Sequence, residues 1–490
     1  MAVPSKFNTF ANRIFGRFKE TEAVETFRKD LENEYEEFLG FEQNPDYVRY
    51  SELKQWIDSG EHIKIKKELE ALVYNGSSEH KLEEEFKKLH NDKLIKNYLK
   101  LIETETPKFY NEFKVSGVID EYNQLKEFVE STEYKKDRKN HKKDKTDEYQ
   151  KELRYNELKK NADLKKFLKL GKWKPLLMFL QVVESEMLQR YGELKEHVNS
   201  SEFKERKDYL QRKDKYKNSE AYLKEQEYNT LHNSDKIKWF FSVKKGNKFD
   251  ELKAWQLAFY DDFEKKSLNA DNWLTKFFWG DVILHKSYSF SNGVLNNYTD
   301  KGNIEIENSV AKLITKKEQS EGVAWDRKYG FVPKTFQYTS PTINTGHVFR
   351  LDEGKVEAKV RMSCVPGVSH VFYLTGEKVL PEIDVFLKND TSQSTLLGSY
   401  FWQNSGNKIQ KSITKIGGLK LQQKYYIVGV EWNSKSVIWT LNGTPFKVEV
   451  NQNPGTPLYL VFASAVNSKI DESKLPATLE IDWVKCWKKA

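Results

Sequence analysis

The feature that most constrains this chain is a single change of apolar period close to residue 250. Upstream of it Lys, Glu, Leu and Tyr dominate and Gly and Pro are sparse, a composition that favours helix throughout. Downstream, from Phe259, apolar and polar residues alternate and turn residues recur about every eight to twelve positions, as in a sandwich or barrel. One layer of structure cannot serve both periods. The expected fold class is therefore multidomain α plus β, an all-α helical repeat array followed by an antiparallel β-sandwich. At 490 residues either half is long enough to bury a core.

The helical half is self-similar. An aromatic followed three positions later by Leu occurs at Tyr50/Leu53, Phe86/Leu89, Tyr122/Leu125, Tyr155/Leu158, Tyr191/Leu194 and Tyr228/Leu231, a period of about 36 residues. Five of these six are followed by a second aromatic, at Tyr98, Tyr134, Phe167, Phe203 and Phe240. Polar breaks able to cap a helix lie between the two aromatics, as in Asn91-Asp92, Ser131-Thr132-Glu133, Asn161-Ala162-Asp163, Ser200-Ser201-Glu202 and Ser234-Asp235. Each unit reads as helix, turn, helix, and units that cannot bury their faces alone are expected to stack into a solenoid or an elongated bundle. The interruption Gly171-Lys172-Trp173-Lys174-Pro175 reads as the end of one helix and the first turn of the next, which the run Leu176 to Leu180 makes strongly apolar. The expected divisions are an N-terminal helical arm over 1–40, helical repeats over 41–248 and the sheet domain over 250–490.

Charge and cysteine usage narrow the function classes. With 81 basic and 73 acidic residues the net charge is +8, a mixed-sign surface, so nucleic acid is not the expected partner despite the Lys-rich run 135–145. No stretch is long and apolar enough to cross a bilayer, and the first twenty residues lack the apolar core of a secretory signal, so synthesis in the cytoplasm is expected. Cys364 and Cys486 are the two cysteines, too few for a disulfide scaffold or a metal-ligand spacing, and no metal site is assigned. The helical half carries no catalytic constellation: its histidines, His62, His80, His90, His141, His197 and His232, are scattered. An array of this kind offers surface, and binding of other proteins within an assembly is its expected role.

In the sheet half, 304–307, 310–314, 354–360, 426–432, 436–441 and 479–484 read as strands, with Asn442-Gly443 a hairpin turn. The stretch Pro381-Glu382-Ile383-Asp384-Val385-Phe386-Leu387-Lys388 is the one with chemical promise, because a strand sends Glu382, Asp384 and Phe386 to one face and pairs two carboxylates there. Its surroundings, from Phe259-Tyr260-Asp261-Asp262-Phe263 and Asn272-Trp273 through 349–362 and 429–441 to the closing run 479–487, resemble family 16 glycoside hydrolases, the laminarinase-like group with a concanavalin-type jelly roll. The resemblance covers about residues 255–490 and implies Glu-x-Asp-x-Glu, or Glu-x-Asp-x-x-Glu with a bulge, the first Glu being nucleophile and the last acid/base. Glu382 and Asp384 match that pattern. The last Glu falls on Phe386 in the plain form and on Leu387 in the bulged form, and neither side chain can give up a proton.

The resemblance also implies a saccharide cleft, for which His370, Phe372, Tyr400 and Trp402 are the candidate lining residues, with Trp279 and Trp325 in wall-forming loops and Val368 where a Trp is usual. It allows a structural calcium ion, with no ligands assigned, and no other cofactor is expected. Replacements for the acid are sought in Glu377, Lys388 and Asp390. Three readings follow: a non-catalytic structural or assembly protein, in particular a bacteriophage virion or tail component; a lectin-like adaptor; and a retaining endo-β-glucanase with a displaced acid. The first is preferred.

Overall fold

A computed structural model of the chain describes residues 6–15, 18–278, 288–289, 293–300 and 302–490. Among the described residues helices run as far as Lys253 and strands follow, with one short 3-10 turn at Glu472–Lys474, in the order the change of period predicts. Packing divides the chain into two compact units, one formed by Met1–Asn44 together with Lys238–Ala490 and the other by Pro45–Ile237.

Within the unit Pro45–Ile237, helices pair across the chain. Pro45–Asp58 lies against Glu220–Asn233, Ser78–Asn91 against Glu186–Asn199, Lys93–Leu101 against Lys174–Val183, Glu105–Lys114 against Ala162–Leu170, and Val118–Glu130 against Asp147–Lys160. The chain thus runs outward to the helix Thr132–Asp144 and returns along itself. The polar breaks act as caps: Asp92, Ser131, Asn161 and Ser200 each accept a backbone N–H of the helix that follows. The aromatics that precede the six Leu positions meet in pairs. Tyr50 stacks on Tyr228 at 5.6 Å, Phe86 on Tyr191 at 5.6 Å and Tyr122 on Tyr155 at 5.5 Å. Beside each ring pair runs a bidentate ion pair: Arg49 with Glu227, Arg190 with Glu85, and Arg154 with Glu121.

The sheet unit is a jelly-roll sandwich of an 11-stranded and a 6-stranded sheet. The smaller sheet has the order Ile409–Ile416, Leu396–Gln403, Glu382–Lys388, Val368–Thr375, Tyr459–Val466, Thr342–Asn344, antiparallel throughout. One face of it meets the larger sheet through Phe372, Leu374, Ile383, Val385, Phe386 and Phe462, which join Val356, Val430, Trp439 and Ile481 in one core. Burial of this kind contributes roughly 25 cal/mol per Å² of apolar surface. Asn442 and Gly443 turn the hairpin between Ser436–Leu441 and Thr444–Val450 with φ of 47° and 71°, the left-handed pair that a two-residue turn of this hand requires.

The first 44 residues belong to this unit. The helix Thr21–Gly40 covers the outer face of the larger sheet, where Arg28 donates to both oxygens of Glu357 at 2.7 and 3.0 Å. Lys359 and the Trp483 indole N–H both donate to Glu25, and the Thr21 hydroxyl donates to the Tyr425 carbonyl. Asn442 closes the contact by donating to the Lys19 carbonyl at 2.7 Å. At its far end the helix meets the return segment through aromatic packing, Phe38 and Phe41 lying 5.3 and 4.9 Å from Phe240. The sequence places a boundary near residue 250, whereas packing puts it at 237/238 and adds the arm to the sheets.

Candidate functional site

The open face of the smaller sheet carries Glu382 and Asp384. Alternation along Glu382–Lys388 is broken once, by a bulge between Asp384 and Leu387. Ile383, Val385 and Phe386 all point into the core, and Lys388 is fully buried on the same side. Glu382, Asp384 and Leu387 are left on the open face. The bulged alternative is therefore the one that forms, and the acid/base position of the resembling pattern is occupied by Leu387. The carbonyl of Asp384 at the bulge accepts the Trp439 indole N–H at 2.8 Å from across the core, which pins the irregularity in place.

Strand register sets the neighbours of each group, since residues directly opposite share a face. Glu382 stands between Phe401 and Thr375, with Tyr459 beyond Thr375 and Lys411 beyond Phe401. Asp384 stands between Ser399 and Tyr373. Leu387 stands between Leu397 and Val371, with Ala463 beyond Val371. Two rows of the face are thus polar and aromatic, and the third is aliphatic around Leu387, with the exposed Lys415 beyond Leu397.

Burial pushes the carboxyl of Glu382 up to about 7. For Asp384, burial and then the adjacent Glu382 charge raise it to about 8. Two carboxyls this close cannot both ionise cheaply, so near neutral pH the pair holds a proton and donates as well as accepts hydrogen bonds. Tyr373 is likewise raised, by burial and by Glu382, and stays a neutral phenol. A half-protonated Glu382 is a weak nucleophile, and retaining hydrolysis also needs a second carboxyl about 5 Å away across the scissile bond.

None of the three replacement candidates supplies that acid. Lys388 points into the core, where its ammonium donates to the carbonyls of Val365 and Val368 at 3.3 and 2.7 Å. Asp390 lies beyond the strand and accepts from the Ser468 hydroxyl. Glu377, on the loop before the strand, is paired with Arg350 at 2.9 Å.

The four predicted lining residues lie on the other side of the sheet, and their assignment is corrected here. His370 is fully buried, its Nδ1 2.8 Å from the Ser464 hydroxyl, and burial together with the Lys388 charge pushes it down to about 3, a neutral core imidazole. Phe372 stacks on Phe462 at 4.0 Å within the core. Tyr400 is 1% exposed and its hydroxyl is engaged by Asn451, Asn453 and the Gln452 N–H. Trp402 packs against Tyr400 and the same core. Each is one residue out of step with the open face, whose aromatics are their neighbours Tyr373 and Phe401, with Tyr459 on the adjoining strand.

Val368 is buried among Val365, Val466 and Ile470. Trp325 sits near a hairpin end of the larger sheet against Phe331, and Trp279 lies outside the described residues. Cys364 and Cys486 are both buried free thiols. Among the described residues no cluster of His, Cys, Asp and Glu could hold a metal ion, and no helix is long and apolar enough to cross a membrane.

Residues 292–485 match the family model of glycosyl hydrolases family 16. The clotting factor G alpha subunit of Tachypleus tridentatus is 23% identical over 257 residues, 48% of this chain and 34% of that protein. The chain thus matches about a third of the length of that curated relative. The catalytic domain of an endo-1,3-beta-glucanase (laminarinase) from Thermotoga petrophila shares 20% identity at a TM-score of 0.40, over 48% of this chain and 99% of that one. LamAcat from Zobellia galactanivorans shares 20% at 0.41, over 48% and 98%.

Proposed function

We propose that the sheet domain, whose residues 292–485 match the family model of glycosyl hydrolases family 16, has kept the saccharide-facing sheet of that family and lost hydrolysis, so that it binds a β-glucan without cleaving it. The observation that carries the reading is Leu387. It occupies the position from which a general acid would protonate the leaving oxygen; its direct neighbours Val371 and Leu397 carry no proton to give, and the row holds no carboxyl, Lys415 standing two strands away beyond Leu397. Tyr373 and Phe401 support binding: both are half-buried and flank the carboxyl pair, and flat apolar rings next to hydroxyl-bonding groups suit a sugar. A protonated Glu382/Asp384 pair offers a donor and acceptors to sugar hydroxyls at no cost in net charge. The helical unit, rich in exposed charge and without a catalytic constellation, serves assembly with other proteins in this reading.

The test uses the full chain with laminarin and mixed-linkage glucan, measuring binding by affinity electrophoresis and cleavage by new reducing ends. Binding without new reducing ends, weakened by Phe401→Ala, is the expected result. Product release that Glu382→Gln abolishes would overturn the reading and require an acid elsewhere. Neither binding nor release would leave the open face as a packing surface for a protein partner.

A further inference from the structure

The six aromatics of the helical unit pair as first with sixth, second with fifth and third with fourth, and the residue before each one carries the charge that fits its partner. In chain order those residues are Arg49, Glu85, Glu121, Arg154, Arg190 and Glu227. The observed pairing makes all three contacts Arg to Glu. Shifting this return register by one position, or laying the two arms side by side, sets like charges together. Turning back one position earlier faces Arg49 with Arg190. Turning back one position later faces Glu85 with Glu227. Side-by-side pairing of the first three with the last three faces Arg49 with Arg154 and Glu121 with Glu227. Bidentate guanidinium–carboxylate pairs are directional, so this order discriminates registers as well as attracting.

Both members of each contact come from the same motif. The outward arm is therefore complementary to any return arm of this sequence, whether it comes from the same chain or from another. The link between the arms favours exchange. Lys145 joins Thr132–Asp144 to Asp147–Lys160 at φ 53° and ψ 40°, a left-handed conformation that is unfavourable for a residue with a Cβ. Short strained hinges invite domain swapping. If Lys145 and the extended Thr146, at φ −64° and ψ 165°, both became helical, the two helices would run on as one, carrying the arms apart and relieving the strain at Lys145.

We propose that the helical unit is a self-recognition device whose partner is a second copy of this chain: two chains exchange everything before the hinge, and Arg49/Glu227, Glu85/Arg190 and Glu121/Arg154 then form between molecules. The charge order lets the full chain test this directly. One variant carries Glu85→Arg and Glu121→Arg, and the other carries Arg154→Glu and Arg190→Glu. Each alone has two like-charged contacts, whereas reciprocal exchange between them makes all six contacts opposite.

The co-expressed pair is expected to elute as a 1:1 dimer of two full chains by light scattering and native mass spectrometry, with a melting temperature above that of either variant alone. A third chain with all four substitutions should melt as the wild type does, which separates a failure of the charge order from a failure to fold. Wild type refolded at high concentration should give a dimer fraction that Lys145→Gly lowers. Recovery of the co-expressed variants as separate monomers, with the fourfold variant restored, would overturn exchange. A fourfold variant that is not restored would overturn the charge order itself.

Discussion

Leu387 stands half-buried between two aliphatic neighbours, so a carboxyl placed there would have its pKa raised by the same desolvation that raises Glu382 and Asp384. That is the condition a general acid needs near neutral pH. Leu387→Glu is therefore expected to release reducing ends from laminarin on the order of 10²-fold above the wild-type background, and an added Glu382→Gln should remove the gain. The carboxyl pair makes a second prediction. Unfolded carboxyls titrate near about 4. In the fold the pair keeps its proton up to about 7 and 8, so the folded state binds more protons than the unfolded one across that range. The stability this contributes is complete below the unfolded value and is lost as pH rises through the folded values. Asp384→Asn should flatten the fall in melting temperature between roughly pH 5 and pH 9; equal slopes for variant and wild type would show that the pair does not carry the proton.

At the scale of elements, the helix Thr21–Gly40 places Arg28 over Glu357, whose side chain is only 3% exposed. Burial alone would raise this carboxyl, and the guanidinium holds it below its ordinary value. Arg28→Ala would leave the charge buried without a partner and should cost about 3 kcal/mol by denaturant titration. Arg28→Met with Glu357→Leu should recover most of that loss, since a matched apolar pair avoids the desolvation of both ions. This contact is invisible to sequence reasoning because the two residues are 329 apart and no period links them. The carboxylate strand is legible for the opposite reason, since Glu382 and Asp384 lie in one short motif. What fails is parity. His370, Phe372, Tyr400 and Trp402 are large and well placed along their strands, but Asp384 pairs with Tyr373 and Ser399, which puts the odd-numbered residues on the open face and those four behind it. The bulge is the other point that sequence leaves open, because Phe386 and Leu387 suit either face until Trp439 reaches the Asp384 carbonyl.

At the scale of the whole molecule, the sheet unit is discontinuous in sequence: Met1–Asn44 and Lys238–Ala490 are separated by the unit Pro45–Ile237. The change of period near residue 250 marks where helices give way to strands, and it says nothing of which helices pack on those strands, since Thr21–Gly40 and Asp235–Lys245 have the same composition as the rest. The two ends of the interruption are nevertheless close, because Phe41 just before it stacks at 4.9 Å on Phe240 just after it. A chain in which 45–237 is replaced by a short Gly-Ser linker should therefore fold and keep any glucan binding of the full protein, as a flexible linker spanning a small gap costs little closure entropy. A chain beginning at residue 250 should not, since it would expose Glu357, Asn442 and Trp483 where the helix now covers them. Circular dichroism melts of the two chains decide between the alternatives. If the shorter one melts as cooperatively and as high as the linked one, the N-terminal helix only rests on the sheet. If it melts lower or fails to fold, that helix is part of the sheet unit's fold.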